Sequence, residues 1–199
     1  DELLARCFIL LAREDPCFDE YVDCLNGTRW AARIIVGVRG AEKQVDFPAK
    51  ACPPDGYFLI MDDNVTHLRV ANGVAAKGDM GELVDVHMHS LFATGFTLVG
   101  INQSGRATPA EDRFAFSELP SLVCGALFAV RVAGHQPSQH GQIKDDVERS
   151  IRHIAHGKIA RLMVYQIRKA HQPGKYQGAA DGGISGQYDT EAAYKAESE

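Results

Sequence analysis

Residues 143–171, IKDDVERSIRHIAHGKIARLMVYQIRKAH, decide how the fold is read. Ile143, Val147, Ile151, Ile154 and Leu162 lie along one stripe at helical spacing. Asp145, Asp146 and Glu148 stand near the start and Arg168, Lys169 and His171 near the end, which complements a helix dipole. Gly157 interrupts the run at a cost of about 1 kcal/mol relative to alanine. The spacing predicts one long C-terminal helix with its apolar stripe on the core. On that reading His153 and His156, three apart, belong to a solvated polar face, and His135 and His140 flank the helix in the loop GHQPSQHGQ.

Before this helix, Leu122 to Val132 (LVCGALFAVRV) is a continuous apolar run and reads as a central strand buried on both faces. Further strands are expected at Trp30 to Val38, which is rich in β-branched residues, and at Gly56 to Met61, Val65 to Val70, Leu83 to His89 and Phe96 to Ile101. Asp62-Asp63-Asn64 joins two of them, and Asn72-Gly73 and the stretch Asn102 to Arg106 read as turns or loops. At the N-terminal side, Leu3, Leu4, Cys7, Phe8, Leu10 and Leu11 predict a buried helix over 2–13, ended by Asp15-Pro16. Phe18, Tyr21, Val22 and Leu25 predict a second helix with Asn26-Gly27 as its C-cap. Thr108-Pro109-Ala110-Glu111 has the pattern of a helix start with a capping box. After Pro173-Gly174 the composition turns to glycine, alanine and polar residues, which predicts a flexible tail over 172–199 that a partner would order. The expectation is an α/β (α+β) fold: a single domain over 1–171 whose mixed central sheet is flanked by an N-terminal helix and a long C-terminal helix.

The 199 residues are 45% hydrophobic and 24% charged, which suits one globular domain with a real core. A net charge of −5 argues against a nucleic-acid partner, which needs a basic face to displace counterions. No apolar run reaches the roughly 18–20 residues that span a bilayer, so no membrane partner is expected. The opening DELLARCFILLAR is too charged and interrupted to read as a secretory signal. Five cysteines without a CxxC pair imply a reducing, cytoplasmic setting, with Cys7 and Cys124 read as core residues.

The sharpest chemical feature is Asp85-Val86-His87-Met88-His89. On a strand, alternate residues share a face, so Asp85, His87 and His89 would project together and Val84, Val86 and Met88 to the apolar side. Two imidazoles so placed can bind one divalent ion, with a carboxylate as ligand or orienting group. A surface strand turning polar residues to water is the alternative. A catalytic zinc site needs a third ligand and an open position for water. Glu111 and Asp112, in the first turn of the helix that begins at Thr108, are acids that a cation would partner, although the helix dipole also accounts for acids there.

These residues resemble the JAMM (MPN/JAB) metalloprotease family, whose signature is H-x-H followed by S-x-x-D at a helix start, with an upstream glutamate. The resemblance implies an α/β fold and a zinc isopeptidase or peptidase acting on a protein or peptide substrate. It implies His87, His89 and Asp112 as Zn2+ ligands, Thr108 at the serine of S-x-x-D, and Glu20, in EYVDCLNG, as the general base for the zinc-bound water. Ser90 stands at the family's proline and Asp23 at its upstream glycine. VDVHMHS also looks like the opening motif of PHP and amidohydrolase-type metal hydrolases. The competing expectation is a non-catalytic structural or assembly subunit that docks neighbouring subunits through its C-terminal helix and tail. No G-x-S-x-G elbow, P-loop or dinucleotide fingerprint is present.

Overall fold

A computed structural model describes residues 5–39, 41–62, 65–71, 75–102, 116–117, 122–123, 125–135 and 145–169. The chain divides into two compact units, one containing residues up to Phe47 and the other Pro48–Gln139 with Asp145–His171. The 172–199 tail, Thr108 to Asp112 and Cys124 lie outside the described residues.

In the first unit, strand β1 (Ile9–Ala12) pairs in parallel with β2 (Ile34–Gly37). Helix α1 (Phe18–Leu25) lies between them in the chain, as parallel neighbours require a crossover. The expected helix over 2–13 is corrected here: Ile9–Ala12 is strand. A short apolar run fits either period, and pairing with β2 decides it. The Arg33 guanidinium donates to the Ala5 carbonyl at 2.7 Å, tying the start of β1 to the start of β2. Helix α1 matches its expectation and buries Phe18; its end is turned by Gly27 in the left-handed region at φ 77°. Helix α2 (Ala41–Ala51), whose residues from Pro48 onward belong to the second unit, has no counterpart in the sequence reading. Pro48 lies inside it, where the ring removes one N–H donor and speaks against a helix.

The second unit is built on a mixed sheet with seven strands among the described residues: β3 (Tyr57–Met61), β4 (Val65–Ala71), β5 (Ala75–Lys77), β6 (Leu98–Asn102), β7 (Phe116–Ser117), β8 (Leu127–Arg131) and β9 (Ile159–Lys169). The order is β3-β8-β6-β9-β4-β5, with β7 also paired to β9. Of these pairs only β6 and β9 run parallel; the others are antiparallel. The sheet must curl. From Met61 to Val65 the chain spans at most about 14 Å, whereas four flat inter-strand spacings would separate β3 from β4 by about 19 Å. The core lies along the interior strands, where Leu98, Val99, Phe128, Ala129, Val130 and Ala160 are buried. The mixed α/β fold is therefore as expected, and β8, paired on both sides, is the buried central strand of that reading, beginning at Leu127. Two helical segments accompany the sheet: α3 (80–93), between β5 and β6 in the chain, and α4 (Asp145–His156), just before β9. No helix among the described residues is long and apolar enough to cross a membrane.

Two elements depart from the sequence reading. The expected strand over 83–89 belongs to α3, and the long C-terminal helix ends early: α4 stops at Gly157, and Ile159–Lys169 is β9. The partners of β9 are β4, β6 and β7, contacts distant in sequence that a local pattern does not contain. Gly157 lies between the helix and the strand, and the position suits glycine because a Cβ there would collide with the Thr97 side chain. The face of α4 is also inverted. Arg149 (2% exposed), Ser150 and His153 (both 0%) are buried, whereas Ile151 (59%) and Ile154 (42%) face solvent. Each buried polar group has a role. The Arg149 guanidinium carbon sits 3.9 Å from the centroid of the Phe128 ring. The Ser150 hydroxyl accepts from the Val123 N–H at 2.9 Å and donates to the Asp146 carbonyl at 2.8 Å. His153 meets Thr97. His153 is thus corrected from a solvated to a buried residue, while His156 is exposed.

Candidate functional site

The segment that carries the two histidines, 83–89, is helix rather than strand. Within α3 an α turn Met80–Glu82 leads into a π-helical stretch Leu83–Met88 and an α-helical end His89–Ala93. Asp79 caps it: its carboxylate accepts from the Gly81 N–H at 2.7 Å and the Glu82 N–H at 3.2 Å. Leu83, Val84, His87, Met88, Leu91 and Phe92 are buried, a helical spacing along one face. The signal was in the sequence. Asp79-x-x-Glu82 is a capping-box pattern, and Leu83, Val84, Met88, Leu91 and Phe92 are apolar at helical spacing. Five alternating residues, Asp85 to His89, are too short a window to outweigh it.

This geometry separates the predicted ligands. Residues two apart on an α-helix point about 200° from one another, so His87 and His89 leave opposite sides of α3. His87 is buried (6% exposed), with its ring edge-on to Tyr165 at 5.2 Å between centroids. Its Nε2 lies 4.0 Å from a Glu82 carboxylate oxygen. Burial pushes the His87 imidazole below its ordinary value, and Glu82 opposes that only in part. His89 and Asp85 are exposed, and the His89 ring lies 6.3 Å from that of Tyr57. Tyr57 stacks on Phe92 at 4.7 Å, and its hydroxyl donates to the Val84 carbonyl at 3.3 Å, which fixes β3 to the π-helical stretch.

Glu20 is on α1, in the first unit, and is exposed. Thr108 and Asp112 fall outside the described residues. The structure thus brings Glu82, not His89, to His87. Zinc sites take three or four protein ligands, and among the described residues no group of three or more His, Cys, Asp or Glu is placed to hold a metal ion. A π-helical stretch is a rare element that recurs at functional sites, and here it sets a neutral, buried imidazole beside one carboxylate.

A second polar concentration among the described residues of the second unit is on α4 and around Thr97, where the sequence reading set His153 on a solvated face. Its signal was the polar set Arg149, Ser150 and His153, at one-turn spacing beside the apolar stripe. The chain matches no protein-family model, no curated protein and no solved structure.

Proposed function

We propose that this chain is a structural or assembly module that docks a neighbouring copy of itself through the outer face of α4. The observation that supports the reading is the inversion of that helix. It spends its buried face on Arg149, Ser150 and His153 and presents Ile151 and Ile154, about one turn apart, to solvent. Leu122 is exposed as well, and its neighbour Val123 is hydrogen-bonded to Ser150 on the same helix. Covering the remaining area of two isoleucines is worth about 2–3 kcal/mol, roughly 30–150-fold in affinity. Sedimentation velocity over a range of concentrations tests it. The wild-type chain is expected to associate and Ile151→Lys/Ile154→Lys to stay monomeric. A wild-type chain that is monomeric throughout, or a variant that associates equally, contradicts the docking face.

A second reading, a zinc-dependent hydrolase of the JAMM type, is favoured by the 4.0 Å approach of Glu82 to His87 on a π-helical stretch. In that reading His87 and Glu82 hold the metal, and Asp112, which lies outside the described residues, is the carboxylate ligand expected from the sequence. Metal content by mass spectrometry tests it. About one zinc per chain, lost on His87→Ala but kept on His89→Ala, supports it; no bound zinc contradicts it.

A further inference from the structure

Thr97 joins three strands and a helix at one end of the sheet in the second unit. Its N–H donates to the Lys158 carbonyl at 2.8 Å, and its own carbonyl accepts from the Arg131 N–H at 3.0 Å. Its hydroxyl lies 3.1 Å from the same Lys158 carbonyl. A Cβ on Gly134 or on Gly157 would collide with this half-buried side chain, so the threonine is closely packed on those two sides. The buried His153 ring meets it from α4, with Nδ1 3.0 Å from the Thr97 hydroxyl oxygen.

A threonine hydroxyl has one proton and two lone pairs. With its proton directed to Lys158, it accepts from Nδ1–H of a neutral His153, which leaves Nε2 as a bare acceptor. That nitrogen is buried and has no hydrogen-bond partner among the described residues. A second proton on the ring would put a charged N–H where no acceptor waits among the described residues, a costly state. Among the described residues, the charged or titratable groups facing the ring are His135, just after β8, and Arg149 and His156 on α4 itself. All three oppose a positive charge there, and no carboxylate is among them. Burial is the larger cause, and together they hold His153 down to about 4.

We propose that His153 is an acid-sensitive latch: neutral, it fastens α4 to the start of β6 and β9 through Thr97, and protonated it releases the helix. The released ring titrates at its ordinary 6.5 and therefore binds the proton that the docked ring refuses. The stabilisation is thus fully present above pH 6.5 and is lost as pH falls from there toward 4, making release about 20-fold more favourable at pH 5 than at pH 7.

Amide hydrogen exchange of the full chain tests this, with peptides covering α4 followed at pH 5 and pH 7 and rates corrected for intrinsic pH dependence. Wild-type protection of α4 is expected to fall about 20-fold between the two, and His153→Gln, which cannot titrate, is expected to lose most of that response. Equal wild-type protection at both pH values, or the same fall in the variant, overturns the latch. Should His153→Gln not fold, the wild-type ring proton of His153 is titrated by NMR. A midpoint near 4 supports the proposal; one at or above 6.5 overturns it.

Discussion

Gly157→Ala separates two accounts of residues 143–171 by the sign of its effect. If the stretch were one continuous helix, replacing its single glycine with alanine would stabilise the chain by about 1 kcal/mol. In the structure the new methyl would stand 2.4 Å from the Thr97 hydroxyl oxygen, 2.8 Å from its Cγ2 and 3.1 Å from its Cβ. The neighbour cannot yield cheaply. Thr97 is β-branched, bonded to Lys158 and in contact with His153, and a Cβ on Gly134 would meet the same side chain at 2.5 Å. Overpacking of this kind costs about 1–3 kcal/mol. With a urea m-value of about 2 kcal/mol/M, the midpoint should fall by roughly 0.5–1.5 M at unchanged m. Equilibrium urea unfolding followed by circular dichroism reads the shift. A midpoint that rises by about 0.5 M would refute the account and restore the continuous helix.

Two other outcomes follow from α3. Asp79→Ala removes the side-chain cap over Gly81 and Glu82 and should cost about 0.5–2 kcal/mol, measured by the same unfolding; no loss would mean that the cap is not made. His87 is held below its ordinary value by burial, with Glu82 in opposition. Glu82→Gln should therefore lower its NMR titration midpoint further, and a midpoint that stays or rises would show that the carboxylate does not face the ring.

What could be read in the sequence was what local pattern alone determines. Helix α1 was readable because Phe18, Val22 and Leu25 repeat within eight residues and Gly27 ends the run. Strands β3, β4 and β6 were readable as short β-branched or aromatic runs of strand length. The failures share a cause, which is that the deciding partner lies far along the chain. Ile9–Ala12 becomes strand because Ile34–Gly37 pairs with it, and Ile159–Lys169 because β4 and β6 flank it. The apolar positions of that last segment do not discriminate, since Ile159, Leu162 and Ile167 suit a buried strand as well as a helix. The site fared less well. Alternation over Asp85 to His89 is real as a sequence pattern, but the longer period running from Leu83 to Phe92 governs the backbone and sends the two imidazoles apart. The burial of Arg149 and His153 could not be read from hydropathy, because it depends on Phe128 and Thr97 waiting on the sheet.

Both proposals rest on the orientation of α4, and thiol labelling at two adjacent positions measures it. Ser150→Cys and Ile151→Cys are each treated with a maleimide under native conditions, and the modified peptide is quantified by mass spectrometry, which separates it from the other cysteines. The inverted helix predicts rapid labelling at 151 and strong protection at 150, where the native side chain is fully buried. Rapid labelling at 150 with protection at 151 would place the apolar stripe on the core, and would contradict the docking face and the latch together.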